Sequence, residues 1–143
     1  MRLLIDTNVF LDFFLQREGS EEAKKLFTNC YKNQHEIYIS SMSLRDIGYV
    51  SHRFFHSEEK ARDVQLKTYS LVSKVCGISA DASIDALFSG NADYEDVLQI
   101  NAAKEILADA IVTNDKKGFK KWSDICIFTP KELNDHFPKR VIL

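Results

Sequence analysis

Five short apolar runs rich in β-branched and aromatic residues punctuate the chain, at 3–5, 37–39, 75–78, 110–112 and 125–128. Runs of this length, with no helical period, predict strands. Between them the apolar positions recur at three- and four-residue steps over 8–16, 20–32, 43–55, 58–74, 81–89 and 93–108, the spacing that gives a helix one buried face. Strands that alternate with helices imply βαβ crossovers, and so an α/β fold with a mostly parallel sheet covered on both faces. In such sheets ligands bind beyond the carboxyl ends of the strands, which directs attention to the residue just after each strand.

The pattern runs through all 143 residues without a Pro/Gly/Ser linker or an internal repeat, so a single domain over 1–143 is expected. With 45% apolar and 28% charged residues, disorder and a disulfide-held miniprotein are both excluded. No apolar run approaches the roughly 20 residues needed to span a bilayer, and Asp6 interrupts the N-terminal run before a signal-peptide core can form. The three cysteines (Cys30, Cys76 and Cys126) form no CxxC motif and read as small buried hydrophobes, which fits a reducing cytoplasm. A net charge of −2 means that any nucleic-acid contact must come from a local basic patch rather than the whole surface.

Four aspartates stand where a parallel sheet would place chemistry. Asp6 follows the first strand and Asp115 the fourth, whereas Asp46 and Asp96 open helices on lines of apolar residues: Met42, Val50 and Phe54 with Asp46, and Ile100, Ala103 and Leu107 with Asp96. Each alone has a plainer reading. Asp6 can be an N-cap, Asp115 a turn residue, Asp93 with Asp96 a capping box and Ser43 with Asp46 another. Together they converge on one edge, where carboxylates about 5 Å apart repel by about 3 kcal/mol per pair at an effective dielectric near 20. Divalent cations offset such a cost, and an all-oxygen donor set suits Mg²⁺ or Mn²⁺.

Leu4-Ile5-Asp6-Thr7-Asn8-Val9, Asp93-Tyr94-Glu95-Asp96-Val97-Leu98-Gln99 and Ile111-Val112-Thr113-Asn114-Asp115 together resemble the motifs of PIN-domain ribonucleases, in particular the small bacterial proteins grouped with VapC-type toxins. The resemblance implies a five-stranded sheet of order 3-2-1-4-5 between helices. It further implies metal-dependent hydrolysis of RNA phosphodiester bonds by an activated water. Asp6, Asp96 and Asp115 take the family's metal-binding positions, with Thr113 as the neighbouring hydroxyl and Asn8 supporting the first acid. Asp46, preceded by Arg45, stands where the family usually carries Glu, as an outer ligand or water orienter. Asp93 and Glu95 are candidates for water-mediated contacts to the ion. A cognate antitoxin and a homodimer are the partners implied.

The segment from Lys116 to Trp122 interleaves Lys116, Lys117, Lys120 and Lys121 with Phe119 and Trp122, which suits either phosphate gripping and base stacking or a solvated turn with its rings in the core. His52 and His56 have a zinc-like spacing but lack an intervening Glu and a third ligand. An aspartyl phosphoryl-transfer enzyme would place a second Asp where Asn8 stands. The alternative to an enzyme is a PIN-fold RNA-binding or partner-binding module whose site is weakened at Asp46.

Overall fold

A strand that is buried on both faces must be apolar at consecutive positions, and Leu3, Leu4 and Ile5 are all fully buried. They form β1 (Arg2–Ile5) at the centre of the sheet in the computed structural model, which describes residues 1–90, 92–120 and 124–137 and, for Lys120, the backbone alone. The other elements follow in the order α1 (Thr7–Phe14), α2 (Ser20–Lys32), β2 (Glu36–Ser40), α3 (Ser41–Phe55), α4 (Glu58–Leu71), β3 (Lys74–Cys76), α5 (Ala80–Leu87), α6 (Tyr94–Glu105), β4 (Ala110–Val112), α7 (Lys116–Lys120), β5 (Cys126–Phe128) and α8 (Pro130–His136). All strand pairs are parallel and the order is β3-β2-β1-β4-β5, as the family resemblance implies.

Alternation along β1 divides the core. Leu3 and Ile5 join Ile37, Ile39, Ala110 and Val112 on one face, packed under α1, α2, α3 and α8 through Phe10, Leu26, Ile47 and Leu133. Leu4 joins Tyr38, Ile111 and Ile127 on the other, under Ile100 and Ala103 of α6 and Phe119 of α7. The chain leaves β1 for β2 on one side, and β4 pairs on the other, so the carboxyl ends of β1 and β4 open the crevice of the sheet. Among the described residues no helix is long and apolar enough to cross a membrane.

Several expectations change in the structure. Helix α3 starts earlier, with Ser40 as its N-cap: Ser40 Oγ accepts from Ser43 N at 3.1 Å, so the Ser43–Asp46 capping box does not form. Its buried line is Ser43, Ile47 and Ser51, two small hydroxyl residues about one isoleucine, and Phe54 is exposed. Helix α6 stops at Glu105 rather than 108. Its C-terminus closes in a Schellman arrangement, Ala108 N to Ala103 O and Leu107 N to Lys104 O, which puts Leu107 at φ 57° and in solvent instead of on the apolar stripe. Cys30 and Cys76 are buried as expected, but Cys126 is exposed.

Two helices were not foreseen. Thr129 caps α8 with Pro130 in its first turn, its side chain accepting from Glu132 N at 3.2 Å. Helix α7 replaces the basic turn, and Phe119 anchors it at 0% exposure; Lys121 and Trp122 lie outside the described residues. If α7 is docked through this ring, Phe119→Ala should cost about 3–5 kcal/mol of unfolding free energy, read as a lower urea midpoint at unchanged slope. A cost within about 0.5 kcal/mol would mean that Phe119 does not anchor α7 in the core.

Candidate active site

Asp6 ends β1, and its backbone N–H still donates to Val112 O of β4 at 2.9 Å, so the first acid is fixed by the sheet itself. It also caps α1. Asp6 Oδ1 accepts from Thr7 N at 2.9 Å and from Gln99 Nε2 of α6 at 3.1 Å. Asp6 Oδ2 accepts from Thr113 Oγ1 at 2.9 Å and from Asn8 Nδ2 at 3.3 Å. Part of the residue stays open to a cavity, yet burial pushes its pKa up against the opposing pull of these donors.

Thr113 Oγ1 also accepts the backbone N–H of Asp115 at 3.0 Å, and Asn8 Oδ1 accepts that of Asn114 at 3.2 Å. The loop after β4 is thereby tied to the first acid through two side chains. Asn114 reaches further, its amide donating to Asp12 of α1. Asp115 itself is exposed.

Asp96 sits in the first turn of α6, where Asp93 Oδ1 caps its N–H at 3.1 Å. The cap is real, but it leaves the Asp96 carboxylate half-buried and facing the site. Its pKa is pushed up to about 6, by burial first and then by Asp93, Asp6, Asp115 and Glu95, all negative. Gly118 of α7 lies against this group. A Cβ there would collide with Asp96 Oδ2 and stand 3.3 Å from Asp115 Oδ2, so both carboxylates face the bare backbone of one glycine.

A cavity of about 430 Å³ opens over these groups, lined by Asp6, Asp46, Glu95, Asp96, Gln99 and Arg45 among others. Asp46 therefore faces the cavity rather than the core. Burial raises its pKa, and Arg45 beside it opposes the rise. Asp6, Asp46 and Asp96 thus share one cavity, with Asp115 reaching the set through Gly118 and Thr113. Asp93 stays exposed as a cap. Among the described residues no three His, Cys, Asp or Glu side chains already form a metal-holding cluster, and His52 and His56 are exposed.

Of the lysines, Lys116 is ion-paired with Glu132 at 2.6 Å, and Lys117 is exposed. Lys120 is described in its backbone only and Lys121 not at all.

Sequence reasoning missed Gln99, Ser43, Gly118 and Asp12. Gln99 is 3% exposed, donates to Asp6 and to Ser43 Oγ at 2.7 Å, and leaves its Oε1 without a partner. Thr7 Oγ1 donates to the same Ser43 at 2.8 Å. The available signal was a Gln among the apolar positions of α6, a polar residue that pays to be there only with partners.

A family model described as PIN domain matches residues 2–117. No curated protein matches the chain significantly. Among solved structures, VapBC2 from Rickettsia felis bound to a promoter DNA fragment superposes with a TM-score of 0.69 at 20% identity, covering 89% of this chain and 97% of that one. VapC20 from Mycobacterium tuberculosis, described as a sarcin-ricin loop cleaving toxin, gives 0.67 at 13% identity over 84% and 95%. A toxin-antitoxin complex from Klebsiella pneumoniae gives 0.61 at 22% identity over 90% and 97%. These similarities are to the fold.

The crowding of Asp96 has a measurable consequence. A carboxyl whose folded pKa of about 6 exceeds its ordinary 3.8 holds its proton better when folded, so it favours the fold at low pH and that gain is lost as pH rises through 6. In metal-free buffer Asp96→Asn should therefore melt above wild type at neutral pH, with the gap closing as pH falls from 6 towards 4. A gap that does not change with pH would mean that Asp96 is not crowded by its neighbours.

Proposed function

The chain belongs to the PIN-domain family, and from that premise we propose that its acidic cavity is the active site of a metal-dependent ribonuclease. The observation that carries the reading is the half-buried Asp96, on which every strong charge acting is negative. Such a group needs a cation. The donors around it are carboxylate oxygens, and the buried Gln99, whose Oε1 has no partner, belongs to the lining of the same cavity, a set that fits Mg²⁺ or Mn²⁺ and offers zinc no thiolate or imidazole. Asp6, Asp96 and Asp115 would hold the ion or ions, with Glu95 and Asp93 contacting them through water. When bound, the metal would polarise the scissile phosphate and lower the pKa of a bound water.

The protein's own groups do the positioning. Thr113, Asn8 and Gln99 occupy lone pairs on both oxygens of Asp6 and so fix the direction of those that remain. Gly118 leaves room for the Asp96 and Asp115 carboxylates to approach one another. Asp46 enters the cavity from α3, where it would orient the attacking water; as the shorter acid it reaches less far than Glu. Lys117, exposed on α7, is proposed to meet an RNA phosphate together with Lys116, Lys120 and Lys121. Antitoxin-bound relatives share the fold, and we propose a protein partner of that class for this chain also.

Wild-type protein should cleave single-stranded RNA in millimolar Mn²⁺ or Mg²⁺ and stop in EDTA. Asp6→Asn, Asp96→Asn and Asp115→Asn should each lose activity by orders of magnitude while remaining folded, and Asp46→Asn should lose less. Wild type should also gain thermal stability with Mn²⁺, about 2.7 kcal/mol at a hundred times Kd. Gly118→Ala should reduce that gain by pushing Asp96 aside. Cleavage that persists in EDTA or in Asp6→Asn would refute the assignment. A folded protein that binds Mn²⁺ but leaves RNA intact would favour the non-catalytic module.

A further inference from the structure

The acidic cavity is part of a longer cleft. It shares Arg45 and Tyr49 with a groove of about 280 Å³ between α3 and α4, which extends to His52, Glu58 and Arg62. It shares Met42, Arg45, Asp46 and Glu95 with a depression of about 450 Å³ that extends to Ser83, Tyr94 and Leu98 between α3, α5 and α6. Arg45 lines all three spaces and, among the described residues, is the one cation lining the acidic cavity. Its side chain is exposed, and among the described residues no hydrogen bond or ion pair engages it.

Each arm presents one tyrosine. Tyr49 is 59% exposed in the α3–α4 groove, with the Arg53 guanidinium 5.9 Å from its ring centroid, and Tyr94 is 43% exposed in the other. A single exposed tyrosine needs no explanation. Two of them, one in each arm of a cleft whose shared cation lies beside Asp46 but makes no hydrogen bond or ion pair among the described residues, form a pattern that suits a chain of alternating phosphates and rings. A guanidinium can bind a phosphate with two parallel N–H donors, and a phenol ring offers any base a stacking face.

Resting on the nuclease reading above, we propose that single-stranded RNA lies along this cleft. The base on one side of the scissile phosphate stacks on Tyr49, the base on the other side stacks on Tyr94, and Arg45 holds the backbone between them. Arg62 adds positive charge to the α3–α4 arm, whereas Glu58 in the same lining disfavours a second phosphate there. The preference that results is for unpaired, stackable nucleotides rather than for one base sequence, because every base has a face to stack.

The test is steady-state cleavage of a short unstructured RNA in Mn²⁺ by wild type, Tyr49→Ala, Tyr49→Phe, Tyr94→Ala, Tyr94→Phe and Arg45→Gln. Each Ala variant should raise KM roughly 5- to 100-fold with little change in kcat, and each Phe variant should restore it. Arg45→Gln should flatten the salt dependence of KM by about 0.7 in logarithmic slope, one phosphate on a single strand. A substrate with an abasic nucleotide beside the cleaved bond should erase the penalty of the Ala variant whose base is missing. The Mn²⁺-induced rise in melting temperature should be the same in Tyr49→Ala and Tyr94→Ala as in wild type.

If both Ala variants keep the wild-type KM while Asp6→Asn is inactive, the RNA path is wrong and the nuclease stands. If the Ala penalties persist on every abasic substrate, the tyrosines support the fold and stack no base, which also overturns the path. If wild type cleaves no RNA, the nuclease reading and the path fall together.

Discussion

A carboxylate that is largely removed from water has to be supplied with donors, and the four that serve Asp6 come from three separate parts of the chain. Thr7 and Asn8 belong to α1, Gln99 to α6 and Thr113 to the end of β4. Gln99 and Thr7 then meet at Ser43 of α3. The helices over both faces of the sheet are thus brought to one carboxylate at the end of the central strand, and their relative placement is fixed by satisfying it. Apolar packing sets the layers, but it is tolerant of small slides. A directional network with fixed partners is not.

That arrangement explains how the site keeps its charges close without collapsing. Asp6 is neutralised in part by dipoles, whereas Asp96 receives only its helix's first turn and a cap on its own N–H. Asp115 stays at the surface, where water screens it. The unfavourable charge is therefore concentrated on Asp96, and the bare backbone of Gly118 keeps the space beside it open. A site poised in this way gains most from a cation at that one point.

The parallel sheet and the two strand-end aspartates were legible because consecutive apolar runs and their following acids are local signals, whereas the strand order came from the family resemblance. Helix α2 was read with both its bounds, 20–32, from periodicity alone. What escaped was of two kinds. Short helices such as α7 and α8 have too few turns to show a period, and Gly118 inside α7 lowers its helical propensity further. The Asp6 network escaped because Gln99 and Ser43 are 56 positions apart and meet only after the fold is made. Asp46 shows the intermediate case: its line of Met42 and Val50 was visible, but whether that line faced core or cavity depended on Ser43, Ile47 and Ser51 taking the sheet side.

The proposed substrate leaves one physical problem, how an acidic cavity in a chain of net charge −2 would admit a polyanion. Long-range attraction does not supply the answer, since at physiological ionic strength exposed charges are screened beyond about 8 Å. Local order does. Lys117 stands exposed on the helix that carries Gly118, and Arg45 stands in the cavity next to Asp46. A strand entering along the cleft would meet rings and the guanidinium groups of Arg45 and Arg62 in its arms and the carboxylates at its centre. On the proposed reading, a divalent ion would offset the central charge, and the carboxylates that by themselves repel a phosphate would hold the ion that attracts it. Metal before substrate would then be the order that electrostatics favours for the proposed reaction, because carboxylates without a cation repel a polyanion.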